Sequence, residues 1–305
     1  MILIEGRGMS KTTKSESFLL RHETKTLLGP AMIYLALFSV FPLLYSLGIS
    51  FFEFDRVAGK WNFLGLGNYK EILSDKVFWS SILITALMVG IALLVEVIAG
   101  VSLAIFFGQK LKGSKIVRAI LITPMILNPV VVGLMWRALL NPQWGLFNWF
   151  IGLIGVDNPP IWLADPKWTL WTLIFVDVWQ WTPFIFVVVF ARYQALPTDV
   201  FESARVDGAS PLKVIRYITL PLVSSAVVFA AIFRGIDSFR TFDLVYGLTF
   251  GGPGRSTTTL SFYSFENGFV YYRYGFSSAL SYIMVIMATI GFAVLLKWIP
   301  VRKSH

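Results

Sequence analysis

The stretch from Thr26 to Phe52 carries no charged side chain, and neither does the 23-residue stretch from Tyr274 to Leu296. Crossing about 30 Å of hydrocarbon takes roughly 20 mostly apolar residues, so each stretch predicts one transmembrane helix. Composition points the same way. Apolar residues make up 56% of the chain and charged residues 14%, whereas a soluble domain carries about 25% charged residues and can cover itself in water.

Three further spans are read directly: Val77 to Gln109 with Glu96 as its charge, Ala119 to Leu140, and Trp168 to Ala191 with Asp177 as its charge. The fifth is less regular. After Pro221 the apolar stretch ends at Phe233, and Arg234, Asp237, Arg240 and Asp243 follow. Its twelve residues rise roughly 18 Å, too little to cross, so the helix carries some of these charges into the membrane, where they must be paired or face a wet interior. The fold class is therefore all-α: a polytopic membrane protein of six helices over residues 26–300, with tails at 1–25 and 301–305.

Six spans place both termini on one side. The tails and the loops flanked by Lys110–Arg118 and Arg192–Pro221 hold sixteen of the 26 Lys and Arg residues, and the opposite loops hold ten. The positive-inside rule makes the first side, with both termini, cytoplasmic. The net charge of +9 thus reads as topology rather than as affinity for nucleic acid. The N-terminal tail is polar, reads as disordered and lacks the apolar core of a secretory signal. Ile4-Glu5-Gly6-Arg7 resembles an engineered protease-cleavage site, which would make residues 1–8 an addition and Met9 the natural start.

Much chemistry is excluded. The chain has no cysteine, and its two histidines, His22 and His305, lie in the tails, so no disulfide, Cys/His metal site or intramembrane histidine relay is available. No Gly-x-x-x-x-Gly-Lys-Ser/Thr loop, His-Glu-x-x-His or Gly-x-Ser-x-Gly occurs, so neither ATP hydrolysis nor these hydrolase chemistries have residues to use. Gly65-Leu66-Gly67 reads as a turn.

Residues 192–221 form the long connection. Pro197 suits the first turn of a helix and Gly208 its C′ position; Ser210-Pro211 suits an N-cap and N1 of a second helix ending before Pro221. A short, rigid, amphipathic pair is either a docking knob for a soluble partner or a surface loop. A family resemblance favours the knob. Glu202-Ser203-Ala204, then Gly208, with Asp207 and Ala209 flanking it, then Ile218 and Leu220-Pro221, resembles the "EAA" motif of inner-membrane permeases of binding-protein-dependent ABC importers; Ser203 replaces the usual first alanine. Tyr246 to Pro253, with its Gly251-Gly252-Pro253, is similar to the carbohydrate-uptake branch. The resemblance implies coupling helices that fit a cleft in separate ATPase subunits, which bind ATP and Mg while this chain binds no cofactor. It further implies a second permease subunit, two ATP-binding cassette subunits and an extracytoplasmic sugar-binding protein that delivers a di- or oligosaccharide.

Candidate substrate contacts lie in helices four and five. Arg234, Asp237, Ser238 and Thr241 share one face of a continuous helix, either as a cavity-facing polar stripe or as an ion ladder with Arg240 and Asp243. The resemblance favours the stripe. In helix four, Asp177, Gln180, Trp181 and Phe184 surround Pro183; aromatic rings stack on sugar C–H faces, although tryptophans also form interfacial belts. Glu96 and Asp177 read as lone carboxylates, serving as interhelical glue or, in a stand-alone proton-coupled transporter, as proton carriers. Asn128-Pro129 suggests irregularity in helix three. Arg234 could meet a sugar hydroxyl or a sugar carboxylate, leaving the charge of the sugar open.

Overall fold

The computed structural model describes residues 28–55, 58–108, 114–156 and 159–298; the two tails and Ile4–Arg7 lie outside them. Twelve helices make up the described chain: α1 (Leu28–Ile49), α2 (Gly67–Ser74), α3 (Lys76–Gly108), α4 (Ser114–Ile126), α5 (Pro129–Leu139), α6 (Leu146–Leu153), α7 (Pro166–Gln194), α8 (Thr198–Val206), α9 (Pro211–Phe239), α10 (Asp243–Leu248), α11 (Leu260–Phe265) and α12 (Tyr274–Trp298). One antiparallel hairpin, β1 (Phe52–Asp55) with β2 (Lys60–Phe63), pairs Phe52 with Phe63. The all-α polytopic class holds.

Among the described residues, five helices are long and apolar enough to cross a membrane: α1, α3, α7, α9 and α12. The third span differs from the continuous helix expected over Ala119–Leu140. It breaks between α4 and α5 with a bend of 103°. The residue before a proline is driven out of the helical region, and Asn128 accordingly takes φ −63°, ψ 131°, while its side chain accepts from the Val130 N–H at 2.9 Å as the N-cap of α5. Two glycines then let α5 lie against α10. A Cβ on Gly133 would sit 2.8 Å from Leu248 N, and one on Gly247 2.6 Å from Val130 O.

The second helix of the loop over residues 192–221 also departs from expectation, since it does not end before Pro221 but runs on into span five. A proline removes one helical N–H and drives its ring at the carbonyl four residues back. The chain absorbs this by widening into a π turn over Ile215–Thr219, with the Leu220 N–H bonded to Ile215 O. The same device precedes Pro42, where Phe41 N–H bonds Ala36 O. Loop and span thus form one rod.

The long pair α3 and α7 packs along the centre of the molecule, with α9 against both. Apolar cores lie at both ends of this trio: Met88, Val132, Leu173 and Leu244 in one, Phe107, Ile185, Phe186 and Val223 in the other. A third core, around Ile72, Phe78 and Leu280, seats α12. There the Tyr263 hydroxyl donates to Asp75, which also accepts from Val77 N–H at 2.8 Å at the start of α3.

Candidate functional site

Three helices meet at one arginine. Arg234 of α9 donates through Nε and Nη2 to Glu96 of α3 at 3.0 and 3.1 Å, and through Nη2 to Asp177 of α7 at 2.5 Å. The three side chains are 1%, 0% and 1% exposed. Nη1 reaches Asp237, one turn along α9, at 3.4 Å, and the guanidinium lies 5.0 Å from the Trp181 ring centroid. A charge withdrawn from water is tolerated only when paired and hydrogen-bonded, and a fork-shaped guanidinium can serve several carboxylates at once. The two carboxylates that looked alone in the sequence are therefore both held by Arg234.

Sequence reasoning missed the link because Glu96 and Arg234 stand 138 residues apart. One signal was present: acids inside spans two and four, and a basic residue at the same depth in span five, form the set that mutual neutralisation would select.

The other predicted residues divide. Asp237 is 38% exposed and also faces Arg240 at 3.6 Å, as the ladder reading expected; Asp243 is exposed and forms no ion pair among the described residues. Ser238 is buried, and its Oγ has no hydrogen-bond partner among the described residues. Thr241 does not continue the stripe, because α9 stops at Phe239 with Arg240 as its C-cap, and the Thr241 carbonyl accepts from Thr259 Oγ1 at 3.2 Å. Phe184 packs against Phe233 at 5.4 Å between ring centroids. Pro183 lies within a continuous α7.

Gln180 turns to the break in span three. Its Nε2 donates to Leu127 O at 3.0 Å, a carbonyl released where α4 ends, while its Oε1 is buried without a partner among the described residues. Gln180→Leu keeps the side-chain size but orphans that carbonyl. Interhelical hydrogen bonds in membranes are worth about 1–2 kcal/mol at most, so the variant will melt measurably below the parent in nanodiscs, whereas an unchanged melt would mean that Gln180 does not brace the break.

An apolar groove of about 440 Å³ opens between α3 and α9, beginning at Val97 beside Glu96 and running past Val101 and Val227 to Leu220. At its far end lies the loop. Helix α8 closes with the hydrogen bonds Gly208 N–H to Arg205 O at 3.1 Å and Ala209 N–H to Ala204 O at 2.9 Å, the Schellman pattern, and Gly208 takes φ +72°. Ala204 is buried, Phe201 packs on Tyr193, and Glu202, Ser203 and Asp207 are exposed. Val206, Leu212 and Tyr217 are 88%, 74% and 70% exposed, an apolar rim unusual for a water-facing loop. Outside the opposite end, Thr257 and Thr258 hydroxyls bond the Gly252 and Gly251 carbonyls at 2.8 and 3.0 Å.

Comparison with known proteins matches residues 96–300 to the binding-protein-dependent transport system inner membrane component family. The chain is 34% identical to the trehalose/maltose transport system permease protein MalF of Thermococcus litoralis, over 86% of this chain and 89% of that one. It is 31% identical to the sulfoquinovosyl glycerol transport system permease protein SmoG of Agrobacterium fabrum, over 90% of each. Its fold is similar to a chain in a bacterial alginate ABC transporter crystallised with an alginate pentasaccharide-bound periplasmic protein, with a TM-score of 0.80, 21% identity, and coverage of 92% and 94%. The chain belongs to the family of binding-protein-dependent inner-membrane transport components and is a multi-pass permease subunit.

Proposed function

We propose that this chain is the membrane-spanning permease subunit of an ATP-driven importer for a di- or oligosaccharide, working by alternating access. The observation that carries this reading is the continuity of α9: one rod from Pro211 to Phe239 joins an exposed, rigidly capped knob to the buried charge cluster. A push on the knob is delivered at membrane depth. Separate ATPase subunits, which bind ATP and Mg, dock on Glu202, Ser203, Ala204, Asp207, Gly208 and Ala209; nucleotide-driven closure then shifts α9 against α3 and α7. The transport names of the relatives support a sugar as cargo. An extracytoplasmic sugar-binding protein delivers it near Gly251 to Thr259, and a second permease subunit completes the path. The complex sits in the inner membrane of a prokaryote with both termini cytoplasmic. A stand-alone proton carrier would need Glu96 and Asp177 free to load and unload, and their shared attachment to Arg234 speaks against it.

Mild-detergent purification from the native membrane, followed by mass spectrometry, will bring down a second six-span permease and an ATPase carrying a phosphate loop at defined stoichiometry. If the chain comes out alone and transports in liposomes without ATP, the importer reading is wrong.

A further inference from the structure

We infer that this subunit receives an uncharged sugar and turns anionic sugars away, an inference that rests on the importer reading above. The names of the relatives do not decide it, since trehalose and maltose are uncharged whereas a sulfoquinovosyl glycoside carries a sulfonate.

The arginine that could have greeted an anionic sugar is already spent. Arg234 makes four hydrogen bonds, all to carboxylates, out of five N–H donors. Trp181 covers its face and it is 1% exposed. A sugar carboxylate or sulfonate could reach it only by displacing Glu96 or Asp177, leaving that acid buried and unpaired.

What remains accessible on α9 is a different set. Ser225, Phe229, Phe233, Ile236 and Arg240 are exposed at helical spacing, and Asp237 lies at the edge of this stripe with 38% of its side chain exposed. Phe184 and Phe233 present neighbouring rings, as do Phe229 and Phe233. A carboxylate accepts from sugar hydroxyls in charge-assisted hydrogen bonds, and aromatic rings take the C–H faces. An anionic sugar meets repulsion instead, because Arg240 is the one cation exposed on that stripe and Asp237 already faces it. Three carboxylates stand here against two guanidinium groups.

Saturation-transfer NMR on the assembled complex in nanodiscs, without its binding protein, isolates the permease's own preference. The probes are a panel of uncharged mono- and disaccharides including trehalose and maltose, set against alginate trisaccharide and sulfoquinovosyl glycerol. Uncharged sugars will bind and the anionic ones will not, and Asp237→Asn will weaken the uncharged ligands roughly 10- to 100-fold, as loss of a hydrogen bond to a charged group does. Co-purification of the partner subunits checks that Asp237→Asn still assembles. Anionic sugars binding as well as uncharged ones, or unchanged affinity in Asp237→Asn, overturns the inference and leaves the importer reading standing. Binding of neither class, with ATP hydrolysis answering instead to a solute that is not a sugar, overturns both.

Discussion

Arg234→Ala will destabilise the protein by about 3–5 kcal/mol, the range for breaking a buried ion pair by removing one partner. Glu96 and Asp177 are 0% and 1% exposed and take their hydrogen bonds in this cluster from Arg234, so its loss leaves two carboxylates in a dry site between α3 and α7. Each must capture a proton, admit water or push the helices apart. Arg234→Lys will recover only part of the loss, because an ammonium is a point donor and cannot hold both Glu96 oxygens in the forked geometry. The triple change Glu96→Met, Asp177→Leu, Arg234→Met removes every formal charge of the trio and will recover much of it, since hydrophobic groups of similar volume often replace a buried ion network at little net cost. Thermal melting in nanodiscs and the yield of assembled complex report these effects. A melt of Arg234→Ala equal to the parent's would show that the cluster does not hold the three helices together. Asp237→Ala, by contrast, leaves the melt near the parent value and reduces uptake, because that side chain is only half-buried and sits outside the three-helix junction. The two variants thus separate a structural role, expected at Arg234, from a cavity-lining role, expected at Asp237.

Much of this architecture follows from the sequence because lipid is an unforgiving solvent. Uncharged stretches of fixed length have few alternatives, so spans one, two, four and six are legible to within a few residues. The departures come where proline acts through its neighbours. Asn128-Pro129 signals irregularity, but whether the chain kinks gently or turns by 103° depends on the Gly133 and Gly247 backbones meeting, a contact between distant segments. Pro221 reads as a stop, yet a π turn of five residues carries the helix through, and no local preference distinguishes a helix that ends before proline from one that widens. The capped helix α8 is legible because its logic is local: Gly208 with its left-handed backbone and the Ala204 contact lie within one short segment. The ion cluster was visible only as an inventory. Glu96, Asp177 and Arg234 could each be singled out as anomalous in a membrane, but helical spacing pairs Arg234 with Asp237, its neighbour on α9, and cannot reveal partners on α3 and α7.

Glu202→Lys will abolish ATP-driven uptake while leaving this chain's own stability unchanged within about 0.5 kcal/mol, the usual range for an exposed substitution away from special features. The Glu202 side chain is exposed, so reversing its charge removes nothing that holds the permease together, and any loss must arise in a partner that meets it. Gly208 tests the same knob through the backbone. At φ +72° a residue with a Cβ is strained by roughly 1–2 kcal/mol, so Gly208→Ala will reduce coupling in part. Gly208→Pro cannot take that φ and lacks the N–H that bonds Arg205 O, so it will unmake the cap and abolish uptake. In both Glu202→Lys and Gly208→Pro the protein will reach the membrane, and the ATPase activity of the complex will no longer respond to sugar and binding protein. The paired measurement matters: uptake alone would also fall if the chain misfolded, whereas lost uptake with intact insertion and an ATPase indifferent to substrate can come only from the junction between knob and motor. Uptake at the parental rate in Glu202→Lys would mean that the segment from Thr198 to Ala209 is a surface loop, and the rod from Pro211 to Phe239 would then have nothing to push it.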